Sequence, residues 1–159
     1  MKIVYDLLIL LLIIIAISLF TFRLRSKLLA LWKEVSIKEV IFHRLLLDTI
    51  NMYYASKEQL QNDENKSHFS RLRKTRKKKV RYLLLQERQN VYLYLSDLFN
   101  EIDDMENDEL APLKKQFKDL QKARRIYNSR VLVYNQTISV FPTRFLAIKM
   151  NLKIKEYFG

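Results

Sequence analysis

Two histidines, a cluster of carboxylates and a run of cations are the residues whose types could do chemistry. His43 and His68 lie 25 residues apart, outside the HExxH kind of spacing that sets two imidazoles on one helix face around a metal. His43 reads as a partly buried helix residue beside Phe42, and His68 as a solvent-exposed residue of a polar connection. Glu101, Asp103, Asp104, Glu106, Asp108 and Glu109 could share a proton or a divalent ion only in a pocket that positions them. An EF-hand loop needs a mid-loop Gly, and the single Gly of the chain is Gly159. The acidic residues therefore read as a solvated turn that favours the N-terminus of the next helix. The chain has no Cys, hence no disulfide, thiolate metal site or nucleophilic thiol. It also has no Gly-rich phosphate loop. The expectation is a protein that is not an enzyme, with no cofactor and no metal.

The cations are the stronger signal. Arg71, Arg73, Lys74, Arg76, Lys77, Lys78, Lys79 and Arg81 fall within eleven residues, without an acid among them, in a chain of net charge +12. Such a run suits anionic lipid, nucleic acid or an acidic protein partner. Phe69 and Tyr82 only flank it, so base stacking along a single strand has no interleaved aromatic to use.

These residues must be positioned by helices. Residues 7–22, LLILLLIIIAISLFTF, carry no charge and predict a transmembrane anchor after a short segment 1–6. Arg23, Arg25, Lys27, Lys33 and Lys38 follow the span and only Lys2 precedes it, an order that suits an uncleaved anchor better than a signal peptide. The positive-inside rule then puts the N-terminus outside and residues 23–159 in the cytoplasm, at the cell membrane. Asn65-Lys66-Ser67 and Asn135-Gln136-Thr137 match glycosylation acceptors that a cytoplasmic domain would leave unused.

Apolar residues at alternating spacings of four and three define three further segments. The first has Leu24, Leu28, Leu31, Val35, Phe42, Leu45 and Met52, with polar gaps at Lys38 and Thr49. The second has Val80, Leu84, Glu87, Val91, Leu95, Leu98, Ile102 and Met105. The third has Leu113, Phe117, Leu120, Arg124, Tyr127, Val131, Tyr134, Ile138 and Phe141. The expected fold is all-α: the transmembrane helix, then an antiparallel bundle of three long helices over about 24–60, 69–105 and 110–141. Pro142 ends the third, and residues 143–158 form a short amphipathic tail whose Phe145, Leu146 and Phe158 pack back on the bundle.

Gln121, Asn128, Asn135 and Pro142 repeat every seven residues beside the third seam. Spacing alone reads this amide ladder as a solvated flank, with a packed, register-setting role as the alternative.

The stretch Ala123-Arg124-Arg125-Ile126-Tyr127-Asn128, then Val131, Tyr134-Asn135, Ile138, Phe141-Pro142, Ala147 and Tyr157-Phe158, resembles the C-terminal signature of the LemA family. The first-helix pattern of that family is reduced here to Arg44-Leu45-Leu46-Leu47-Asp48, and the basic run is not part of the resemblance. The resemblance implies a membrane-anchored, all-helical cytoplasmic domain and brings no established activity. Two functions are expected from these readings. One is a membrane-tethered scaffold or adaptor docking a membrane or cytoplasmic protein or anionic lipid, with homo-oligomers allowed. The other is a membrane-tethered nucleic-acid-binding protein using 71–81.

Overall fold

From residue 1 to Ala111 there is neither Gly nor Pro, so no residue in that stretch obliges a helix to break. The computed structural model describes residues 2–76, 83–105 and 107–159. It is all-α, with a long apolar N-terminal helix followed by further helices and no strand among the described residues. The helices are α1 (Lys2–Ala55), α2 (Lys57–Leu60), α3 (Lys66–Arg76), α4 (Leu85–Asp103), α5 (Ala111–Ser139) and α6 (Thr143–Lys149).

The boundaries differ from the sequence reading in three places. The apolar span and the first bundle helix are one helix of 54 residues, because nothing between them favours a turn. The segment expected at 69–105 is drawn as α3 and α4, α3 starting one turn earlier at Lys66. Val80, Lys77, Lys78, Lys79, Arg81 and Glu106 lie outside the described residues. The third segment starts with a 3-10 turn, Asp108–Leu110, whose first free N–H groups are met by Asn107: its Oδ1 accepts from Glu109 N at 2.9 Å. Pro112 then sits in the first turn of α5, where its missing N–H costs nothing.

The chain divides into two compact units. The first holds Met1–Ser36 and Arg130–Glu156. Its apolar side chains from Leu7 to Phe20 stay 47–60% exposed, uncovered by the described residues. Further along, Leu28, Val35, Val131, Tyr134, Ile138 and Ala147 are buried, and Arg130 Nε meets Glu34 Oε1 at 3.0 Å. After α6 the chain turns at Asn151, which takes the left-handed φ of 53° that Asn tolerates better than most residues. Leu152 N reaches back to Ala147 O at 2.9 Å to close that helix end.

The second unit holds Ile37–Ser129 and Tyr157–Gly159. Its core is aromatic. Phe42 stacks on Tyr127 at 6.1 Å and meets Phe158 edge-on at 4.5 Å, while Phe117 contacts Tyr53, Tyr92 and Phe99. The pairings Phe42–Tyr127 and Tyr53–Phe117 make α1 and α5 antiparallel here. Phe99–Phe117 and Tyr92–Arg124 do the same for α4 and α5.

The seam is shifted from the expected one at several positions. Leu46 and Tyr53 are buried where Leu45 and Met52 were expected, and Thr49, expected as a polar gap, is fully buried. Its hydroxyl donates to Leu45 O at 2.7 Å, which satisfies it inside the helix. Leu84, Met105 and Phe141 are 73%, 50% and 88% exposed, each standing outside or at the end of its helix, where the period no longer applies. Phe145 is likewise exposed rather than packed back, whereas Phe158 is buried.

Candidate functional site

The signature residues on α5 hold the segment that follows α6. In the first unit, Asn135 Nδ2 donates to Lys155 O at 2.8 Å and its Oδ1 accepts from Lys155 N at 2.9 Å. Beside it, the Tyr134 hydroxyl donates to Lys153 O at 3.0 Å. In the second unit, Asn128 Nδ2 donates to Phe158 O at 2.7 Å and its Oδ1 accepts from Phe158 N at 2.8 Å. Each amide thus engages the N–H and the C=O of one residue with its acceptor and its donor at once, a use that Asn alone among small side chains allows besides its longer homologue Gln.

The solvated-flank reading of the ladder is therefore corrected. Asn135 is buried, Asn128 is half-buried, and both are fully engaged. A buried peptide group without a partner is costly, and residues 152–159 have no helix or strand of their own to supply one. Amides on α5 supply it.

The other signature residues fall into place around this strap. Tyr127 is buried against Phe42. The Arg124 guanidinium lies 4.6 Å over the Tyr92 ring, and Arg125 is exposed. Burial pushes the Tyr92 phenol above its ordinary value, opposed by Arg124, Arg125 and a hydrogen bond from Gln121. Burial raises Tyr134 in the same direction. Phe141 and Pro142 close α5, Phe141 facing outward.

The described part of the basic run lies on α3, which buries Phe69 and Leu72 and exposes Arg71, Arg73, Lys74 and Arg76. Aromatic neighbours, missing from the linear run, arrive from adjacent helices. Arg71 lies 5.1 Å over Tyr94 and donates to its hydroxyl, and Arg76 lies 4.8 Å over Tyr54. Lys77, Lys78, Lys79 and Arg81 lie outside the described residues.

The histidines and carboxylates are placed apart. His43 Nε2 hydrogen-bonds Arg88 Nη1. His68, expected in solvent, is half-buried beside Tyr94, with Asp97 Oδ2 3.9 Å from its Nδ1. Glu101 accepts from Asn65 Nδ2 at 2.7 Å, and Asp103 pairs with Lys118 at 3.4 Å. No group of three His, Cys, Asp or Glu suited to a metal ion occurs among the described residues.

Sequence reasoning missed Asn65. It is 1% exposed, exchanges reciprocal bonds with Asn62 and also donates to Leu60 O at 2.9 Å. The only sequence signal was the pair Asn62 and Asn65 in a short polar connection.

A helical protein with an uncovered apolar N-terminal segment and a strap held by asparagines is the class these features define. The LemA family model matches residues 48–159, well over half of the chain, and the chain belongs to the LemA family. No curated protein and no solved structure matches it.

Proposed function

We propose that this protein is a non-enzymatic, membrane-anchored scaffold or adaptor that docks proteins or anionic lipid at the inner face of the membrane. The observation that carries the reading is α1: its first turns are apolar and uncovered, long enough to cross a bilayer, and continue without a break into a helix that buries Leu28 and Val35. Charge supports the inside placement of residues 23–159, through Arg23, Arg25 and Lys27 after the span. The exposed Arg73 and Lys74 on α3 extend a cationic surface toward an anionic partner.

Resistance of the full chain to alkaline carbonate extraction tests the anchor. A C-terminal alkaline phosphatase fusion that is inactive, with an N-terminal one active, is the expected topology. The reverse pattern overturns the inside placement. The nucleic-acid alternative is weakened by the arginines already seated on Tyr54 and Tyr94, which occupy the rings a base would stack on. RNA retention that falls by orders of magnitude between about 50 and 200 mM salt would select that alternative.

A further inference from the structure

The first unit contains a groove of about 940 Å³ that neither the strap nor the basic run explains. One wall is the end of the apolar span, with Phe20, Phe22 and Leu24. The other comes from the bend into α6, with Phe141, Phe145 and Leu146. Phe141 and Phe145 are 88% and 67% exposed, aromatic surface in the groove that the described residues leave bare. Two cations, Arg25 and Lys149, line the groove, and no carboxylate does. The Thr21 hydroxyl in the groove is already engaged with Ile17 O and Ser18 O, both at 2.9 Å.

We propose that this groove seats an anionic phospholipid of the membrane in which α1 is anchored, an inference that rests on the reading of α1 as a span. The headgroup phosphate lies at Arg25 and Lys149, and the upper acyl chain lies against Phe20, Phe141 and Phe145. Placement argues for this occupant over a protein. Residues 3–22 rise about 30 Å, the thickness of a hydrocarbon core, so Phe20 and Phe22 stand at its edge. Arg25 lies one turn beyond Phe22, about 4.5 Å further along the axis, in the headgroup layer. Cations at that depth extend to phosphate while their stems cover apolar surface. The bare rings of Phe141 and Phe145 then continue the apolar surface of the span into the interface, as apolar side chains of interfacial segments do at membranes.

The test uses the full chain in phosphatidylcholine–phosphatidylglycerol vesicles. Trp32, the one native tryptophan, is replaced in Trp32→Phe, and Phe145→Trp or Leu12→Trp is added as reporter. Brominated acyl chains are expected to quench both reporters, with bromines near the headgroup most effective on Phe145→Trp. Quenching of Leu12→Trp alone overturns the groove assignment and leaves the anchor standing. Quenching of neither overturns the anchor and with it the proposal. Arg25→Gln and Lys149→Gln should each lower the preference for phosphatidylglycerol over phosphatidylcholine about fivefold, the worth of one cation near a charged surface. An unchanged preference in the double variant overturns the phosphate contact. Both residues are exposed, so helical content by circular dichroism should match the parent chain in each variant.

Discussion

The Asn128 amide meets both backbone groups of Phe158, donating to its C=O at 2.7 Å and accepting from its N–H at 2.8 Å, while the Phe158 ring fills the space between Phe42 and Tyr92. One residue supplies apolar burial and the other satisfies the backbone that burial strips of water. Neither contact is sufficient alone: the ring could not be buried with its own N–H and C=O unpaired.

Asn128→Ala is expected to cost about 2 kcal/mol, because it leaves both backbone groups of Phe158 without partners. Asn135→Ala should cost a similar amount through Lys155. Asn128→Asp keeps the acceptor and loses the donor, so its penalty should persist. Thermal unfolding of the detergent-solubilised chain reads all three, and melting temperatures equal to that of the parent would refute the clamp.

Phe158→Ala should cost about 3–5 kcal/mol, the range for truncating a buried aromatic. Its mark beyond stability is local. Residues 152–159 should become sensitive to limited proteolysis at temperatures where the far-ultraviolet signal of the helices is intact. Uniform protection of that segment would show that the ring does not hold it.

The helices were legible in the sequence because the apolar period repeats over many turns: Val91, Leu95, Leu98 and Ile102 on α4, and Leu113, Phe117 and Leu120 on α5, are buried as their spacing requires. The period said less at helix ends, where Leu84 and Phe141 keep the spacing but lose the helix. The ladder was visible as a pattern, but spacing could not decide between a solvated flank and a packed position, since its partners are backbone atoms of Lys155 and Phe158. Tyr54 and Tyr94 were invisible as platforms for Arg76 and Arg71 for a related reason: they lie on other helices, more than twenty residues away in sequence.

Asn65→Ala should be among the costliest polar substitutions, at about 2–3 kcal/mol. It removes a buried side chain that bonds Asn62, Leu60 and Glu101 together, and leaves Leu60 O and the Asn62 N–H unpaired. Asn62→Ala removes a single bond to Asn65 N and leaves the remaining contacts, so it should cost less, about 1 kcal/mol. Chemical denaturation of the pair checks the order, and an equal or reversed ranking would contradict the hub role of Asn65.

The tyrosines give a pH-dependent prediction with a definite sign. Burial raises the phenols of Tyr53, Tyr92 and Tyr134, and Asp103 adds to the shift of Tyr53, whose hydroxyl has no hydrogen-bond partner among the described residues. A phenol that holds its proton more tightly in the fold than in the unfolded chain costs the fold nothing while both states keep the proton, and costs it stability once the unfolded chain can ionise. Below about pH 10 both states are protonated, and the full native stability is present. Above about pH 10 the unfolded chain releases protons that the fold retains, so stability falls as pH rises toward the folded values. Tyr53, Tyr92 and Tyr134 should therefore ionise above the range of a free phenol in a phenolate absorbance titration, and that late step should coincide with loss of the helical signal. Tyr134→Phe removes one late-titrating group together with its bond to Lys153 O, so it should cost about 1 kcal/mol near neutral pH and shallow the alkaline decline. Ionisation of these three in the folded chain within the range of a free phenol would contradict their burial.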